Sequence, residues 1–461
     1  MTGRSDGAVT DTAKSLSELR ASAAQAHTDG DTETALRAYA AYLARVPGDA
    51  RMWSNLGALH RRAHRTQMAL LAHQRALALA PDDVSVMNNA ANALSDVGQY
   101  DQSLALRHRL LDQTPDDLNH LAMVGRCLRG KGDYAAAIRW LEAARARFPD
   151  DAELQMQLAF AQLGAGDYAQ AFRNYRARWR AGELKPRNLP FPEWTGQPLD
   201  GKTIVILPEQ GFGDAILFAR FAAVLRGRGA RVVMQVKKPL RRLFAGIDGV
   251  DAMVPDLTAD TQADYWINIM DLALLHFEQD DTVPPPCRLT MPVDSVARAR
   301  ALLKPHAGKM RIGVVWTGSV TYKGNAFRSF SHRNYLGLAA VPGVQLFSLY
   351  KGPELAPYHA DGTDGVIIDT GSSERDFADT AAMMRQLDLV ITSDTATAHL
   401  AGSLGVPVWV VLHWDAFWVY RHAGPTTAWY PSMRLFRQHE PLDWDGVMAD
   451  VTSAVRAQME I

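Results

Sequence analysis

The sequence predicts two fold classes in one chain: an all-α superhelix of helical hairpins, then an α/β unit of two doubly wound, Rossmann-like lobes. Three observations carry this. Prolines recur at a fixed step of 34 residues through the first part, at Pro47, Pro81, Pro115 and Pro149. From Thr203 onward, β-like runs alternate with helical stretches. Between the two, near residues 182–200, the helical period stops in a stretch rich in prolines, aromatics and turn residues.

Composition narrows the function classes. A chain of 461 residues has room for two or three domains, and 47% hydrophobic with 21% charged residues is an ordinary globular balance. Lys and Arg number 49 against 50 Asp and Glu, net −1, and neither part forms a basic lobe, so no nucleic-acid partner is expected. Cys127 and Cys287 stand far apart without metal-ligand spacing, which argues against a disulfide framework or a zinc site and fits a reducing, cytoplasmic location. The first 30 residues lack a signal-peptide core, and AGSLGVPVWVVL is too short to span a bilayer, so no transmembrane segment is expected.

In the first part each proline is followed by aspartate, in PGD or PDD. The same step carries Gly98, Gly132 and Gly166, with Gly30 before them and His64 in the gap; it carries Tyr100, Tyr134 and Tyr168 two positions later. Leu36, Leu70, Leu104, Ile138 and Phe172 share one register. The physical reading is one hairpin per unit: Pro opens it, Asp caps the first helix, Gly ends that helix, and the aromatic opens the second. Five units fit in residues 15–181, after a disordered N-terminus at 1–14. The pattern resembles the tetratricopeptide repeat, which implies a superhelix whose concave groove holds a protein partner.

A linker at 182–200 leads to an N-terminal lobe at 201–285, built from TIVIL, a helix over 214–228, RVVMQV, a helix around Pro239–Phe244, and YWINIM. An interlobe linker at 286–310 overlaps the proline-rich VPPPCRLTMPVDSV. A C-terminal lobe at 311–461 then carries RIGVVW, VQLFSLY, GVIID, DLVIT, VPVWVVL and MRLFRQ. Ligands of such sheets sit beyond the carboxyl ends of strands.

Three segments lie there. EQGFGD ends the first strand; Gly211 and Gly213 allow close backbone approach and Asp214 falls at a helix start. A third fingerprint glycine is missing, since Ile216 stands in its place, and no NAD site follows. In TSDTATAHL, Asp394 can cap or accept from a sugar hydroxyl, Thr395 and the Ala396 amide can donate to phosphate, and His399 sits one turn in. WTGSVTYKGNAFRS and SLYKG add Thr317 and Gly318 at a strand end, and Lys323, Arg328 and Lys351, basic loop residues suited to a diphosphate. Each also has a plain reading: Asp214 as a helix cap, His399 as packing, the three cations as solvated surface.

EQGFGDAILFARF, the segment from DFADTAAMM to VPVWVVL, and WYPSMRLFRQ together resemble the signature blocks of bacterial tetratricopeptide proteins with a C-terminal glycosyltransferase family 9 (heptosyltransferase-like) domain. The resemblance implies a GT-B fold, no metal and no cofactor beyond a nucleotide-sugar donor. It also implies an acceptor, protein or glycan, on the N-terminal lobe and the donor on the C-terminal lobe. Asp214 is then the general base, Asp394, Thr395 and His399 line the donor phosphates, and Lys323 or Arg328 neutralises the leaving diphosphate. Ala396 and HWDAFWVYRH depart from the family pattern. The function expected is an inverting, metal-independent glycosyltransferase whose repeats recruit a partner; the alternative is a non-catalytic adaptor with a degenerate GT-B domain. A sugar-nucleotide epimerase fits less well, because its further acidic and histidine residues find no counterpart.

Overall fold

The computed structural model describes residues 15–460 except 183, 185, 186, 259, 260 and 323. The expected disordered segment 1–14 and the candidate Lys323 lie outside the described residues.

The hairpins form as the period predicts. They pair α1 (Leu16–Asp29) with α2 (Thr32–Leu43), α3 (Ala50–Arg62) with α4 (Thr66–Leu79), and α5 (Val84–Asp96) with α6 (Tyr100–Gln113). Then come α7 (Leu118–Gly130), α8 (Tyr134–Arg147), and α9 (Ala152–Ala165) paired with α10 (Tyr168–Tyr175). Asp49, Asp83 and Asp151 cap α3, α5 and α9, accepting from Met52, Val86 and Leu154 amides at 3.1, 3.1 and 2.8 Å. Gly98, Gly132 and Gly166 take φ of +74°, +80° and +89°, and His64, in the gap of the glycine register, adopts the same conformation at +56°.

The chain divides into two compact units, residues 1–127 and 128–461. The first has its own core around Leu19, Tyr39, Tyr42, Leu56 and Leu59. Further along it, buried Arg107 donates to Asn88 and Asn92 and lies 3.1 Å from His120 Nδ1.

The second unit joins the last hairpins to the α/β lobes. Tyr168, Phe172 and Tyr175 of α10 share one core with Phe218, Phe221, Phe277, Trp418 and Trp429. The Phe172 ring stacks on Phe277 at 5.7 Å, and Trp429 Nε1 donates to Tyr168 Oη at 2.9 Å. Contacts of this kind contribute about 0.5–1.5 kcal/mol per aromatic pair beyond area burial. Residues 182–200 thus mark a change of secondary structure within one packed unit. Phe191, Trp194 and Leu199 there are buried, and Glu193 forms a parallel bridge with Trp266 of the first sheet.

The N-terminal lobe runs β1 (Thr203–Leu207), α11 (Phe212–Phe218), α12 (Ala222–Arg226), β2 (Arg231–Gln235), β3 (Ala252–Val254), β4 (Tyr265–Asn268) and α13 (Asp271–Phe277). All pairings are parallel, in the order β3-β2-β1-β4. Two expectations differ. The helix over 214–228 is interrupted by a 3-10 turn at Ala219–Phe221, with buried Arg220 donating to the Leu217 carbonyl; around 239–244 only a single 3-10 turn forms, Lys238–Leu240, with Pro239 in its middle. Strand β3 was not foreseen, because three half-buried residues are too few to display a period.

After α14 (Val293–Leu303), the C-terminal lobe runs β5 (Met310–Val315), α15 (Leu336–Ala339), β6 (Val344–Ser348), α16 (Leu355–Ala360), β7 (Ile367–Asp369) and α17 (Phe377–Met384). It continues with β8 (Leu389–Ser393), α18 (Ala396–Leu404), β9 (Val408–Leu412), β10 (Met433–Arg437) and α19 (Trp444–Met459). The order β10-β9-β8-β5-β6-β7, all parallel, is the dinucleotide-fold order 3-2-1-4-5-6 when counted from β5. In both sheets the winding reverses beside the first strand, between β1 and β4 and between β5 and β8. The fold class is the expected one.

Candidate active site

Each switch point presents a helix N-terminus. The chain leaving β1 turns through Pro208–Gly211 into α11, and the chain leaving β8 passes Asp394 and Thr395 into α18. These two helix starts meet across the lobes. A Cβ on Gly213 would come within 3.0 Å of His399 Cδ2 and 3.3 Å of Ala396 Cα, tighter than an ordinary contact, so a side chain there would have to push the facing helix start back by a few tenths of an ångström.

Asp214 is the third residue of α11. Its carboxylate accepts from the Gly211 amide at 2.9 Å, which closes the first turn. Burial raises its pKa, while that hydrogen bond, Arg328 and Lys237 pull the other way. Asp394 is pushed up to about 6 by burial, with the Asp214 charge adding to the shift and Arg328 and Tyr420 opposing it. The helix cap proves to be Thr395, whose Oγ1 accepts from Thr397 N at 3.3 Å; Asp394 is not the cap.

His399 is held neutral: burial, then Arg220 and Arg328, push its pKa down to about 3. Its Nδ1 lies 3.1 Å from Tyr430 Oη, a hydroxyl whose pKa is pushed up to about 12 by burial. Which of the two donates follows the ring tautomer. Tyr420 lies parallel to the imidazole at 6.3 Å and Phe417 meets it edge-on at 6.1 Å.

The loop after β5 supplies the cation. Arg328 stands over the Tyr322 ring at 4.5 Å and shifts the ionisation of Asp214, Asp394, His399 and Tyr420 together, which makes it the electrostatic centre of the group. Asn325 organises the loop: its Oδ1 accepts from Gly318 N at 3.1 Å and its Nδ2 donates to Thr317 Oγ1 at 3.0 Å. Lys351 is held one strand over, after β6, where its ammonium donates to the Glu374 carbonyl. Glu374 is itself buried and pushed up to about 8.

The residues that sequence reasoning missed come from the divergent segment at 413–422 and its neighbour Tyr430. No local pattern marks them, although the density of aromatics in HWDAFWVYRH was a signal. The same segment is seated on the last hairpins. Trp414 Nε1 donates to the Gly130 carbonyl at 3.2 Å, and Arg129 pairs with Asp415 at 3.5 Å. Arg421, at φ +55°, reaches so near Gly166 that a Cβ there would come within 2.6 Å of Nη2.

Fold and site together define a protein of tetratricopeptide-type hairpins joined to a two-lobed, GT-B-type α/β unit, with loops gathered at both switch points. The family model described as tetratricopeptide repeat matches residues 21–84 and 88–152. Among characterised proteins, the chain is similar to Protein FlbA of Caulobacter vibrioides, 27% identical over 294 residues. That match covers 58% of this chain and 48% of FlbA, so the chain spans about half the length of the curated relative it matches. Among solved structures, a glycosyl transferase family 9 protein from Veillonella parvula DSM 2008 aligns with 57% of this chain and 98% of its own, at 14% identity and a TM-score of 0.44. The MamA protein aligns with 38% of this chain and 98% of its own, at 14% identity and a TM-score of 0.33. Among the described residues, no helix is long and apolar enough to cross a membrane.

Proposed function

We propose that the protein is an inverting, metal-independent glycosyltransferase that uses a nucleoside-diphosphate sugar and recruits an acceptor or assembly partner through its repeats. The observation that carries this reading is the meeting of a carboxylate, Asp214, with a helix N-terminus, His399 and Arg328 at facing switch points. The two lobes supply different parts. Asp214 takes the proton of the acceptor hydroxyl as its oxygen bonds to the anomeric carbon. The bond from that carbon to the diphosphate breaks, and the electron pair leaves with the phosphate oxygen.

Arg328 and the amides at the start of α18 meet the charge that gathers there, and neutral His399 adds a donor in the tautomer that carries its proton on Nε2. A raised carboxylate pKa strengthens Asp214 as a base, since a more basic carboxylate holds the acceptor proton more firmly. Displacement from one side opposite the leaving group inverts the anomeric centre. Thr317, Gly318, Thr395 and Ala396 line the donor side, and the protein works from the cytoplasm.

The test is calorimetric titration with a panel of ADP-, UDP- and GDP-sugars, followed by mass spectrometry for sugar transfer to a captured partner. Binding of one donor with transfer supports the reading; a chain that binds none of them and modifies nothing is an adaptor.

A further inference from the structure

A buried charge cluster lies outside the cleft, behind the glycine loop. Arg178, in the 3-10 turn Arg176–Trp179 that follows α10, is 1% exposed and forks onto Glu209, with Nε to Oε1 at 2.7 Å and Nη2 to Oε2 at 3.0 Å. Its Nη2 also lies 2.9 Å from Asp271 Oδ1. Glu209 follows β1 and Asp271 follows β4, so a guanidinium from the end of the hairpins bridges the two strand ends at the switch point of the first sheet. The rest of the loop is held from the same side. Arg187 Nη2 donates to the Pro208 carbonyl at 2.8 Å, and Gln210 Nε2 donates to Tyr175 Oη at 2.9 Å. Three consecutive residues, 208 to 210, are therefore fixed by three side chains that precede the lobe.

Gln210 has φ +43°, a conformation that costs a non-glycine residue about 1 kcal/mol or more and persists only when its surroundings over-determine it. Two of the ties that do so are the Tyr175 contact and the bond from Lys237 Nζ to the Gln210 carbonyl at 2.7 Å. Stability alone does not explain the charges, because an apolar trio of equal volume is commonly as stable as a buried ion-pair cluster. What the bidentate fork adds is fixed geometry. The loop so fixed ends at Asp214.

We propose that Arg178, assisted by Tyr175, is a positioning residue for Asp214, so that the last turn of the hairpin region sets the geometry of the base. This rests on the transferase reading of Asp214. Arg178 touches neither Asp214 nor the cleft, and it acts through Glu209 and Gln210.

The test uses the full chain with Arg178→Met, Arg178→Lys and Tyr175→Phe. Hydrogen exchange of peptides covering 208–216 is followed without ligand, together with the melting temperature. Turnover and dissociation constant are then measured for whichever ADP-, UDP- or GDP-sugar the wild type binds. The expected result is exchange at 208–216 faster by about tenfold while β1 stays protected. Turnover should fall by about 10- to 100-fold with the donor dissociation constant within about twofold, and Arg178→Lys should recover part of the loss.

Unchanged protection and turnover in Arg178→Met overturn the proposal, as does a loss of donor affinity and turnover that merely follows the melting temperature. If Arg178→Met does not fold, Tyr175→Phe decides by the same readouts. Loss of protection in variants of a chain whose wild type turns over no sugar nucleotide leaves the positioning intact and removes the transferase reading instead.

Discussion

Replacing Asp214 by Asn isolates the base from everything else that residue does. The Asn carboxamide oxygen can still accept from the Gly211 amide, now at 2.9 Å, so the first turn of α11 stays closed. Because burial holds the Asp214 pKa above its ordinary 3.8, the carboxylate is a burden to the folded state at neutral pH, and removing its charge should leave the melting temperature unchanged or higher. On the proposed reading the donor phosphates are met by the other lobe, so the dissociation constant for the nucleotide sugar should hold within about twofold. The amide cannot take a proton. Turnover should therefore fall by about 10²-fold or more, equivalent to about 2.7 kcal/mol of transition-state stabilisation. Calorimetry, thermal melting and a transfer assay on one preparation separate these three quantities. Wild-type turnover in Asp214→Asn would refute the assignment and send the search for a base elsewhere in the cleft.

Three further outcomes follow from the same geometry. His399→Ala should weaken nucleotide-sugar binding by about 1–3 kcal/mol, with no effect of EDTA on the wild type; an unchanged dissociation constant, or binding abolished by the chelator, contradicts the donor side as described. Asp394 is pushed from 3.8 up to about 6, so its protonated form favours the folded state; that contribution is present below about pH 4 and is lost as pH rises through 6. Asp394→Asn should then gain stability relative to wild type between pH 4 and 7, by up to about 3 kcal/mol, and parallel melting curves across that range would exclude it. Finally, a fragment starting at residue 201 should aggregate, because it bares the surface that packs on Tyr168, Phe172 and Tyr175, whereas one starting at 128 should stay soluble; equal solubility of the two in gel filtration would count against a shared core.

Local chemistry explains what the sequence made legible. The Pro–Asp, Gly and Tyr steps of the hairpins each act within a few residues of where they sit, so the period alone locates caps and turns. The apolar runs DLVIT and VPVWVVL are buried at every position of β8 and β9, the signature of a covered parallel sheet. At the site, Gly213, Asp214, Asp394, Thr395, His399 and Arg328 are brought together, and they were visible because strand ends and helix starts announce themselves. What stayed hidden depends on distant partners. Tyr430 reaches His399 across 31 positions and Arg178 reaches Glu209 across 31, and neither pairing has a local trace. Lys351 was hard to read for the opposite reason: a basic residue at a strand end looked free, but its ammonium donates to the Glu374 carbonyl.

The seating of residues 413–422 on the last hairpins bears on how the molecule comes apart. In a plain array of repeats, stability is a sum of equal units and nearest-neighbour interfaces, and melting can start at either end. Here the final units have an extra neighbour: Trp414, Asp415 and Arg421 clasp the turns around Gly130 and Gly166, and α10 lies in the core of the lobes. Unfolding therefore acquires a direction. The first hairpins should fray as a reversible fringe, while α9 and α10, which share the core of the lobes, should melt with the sheets.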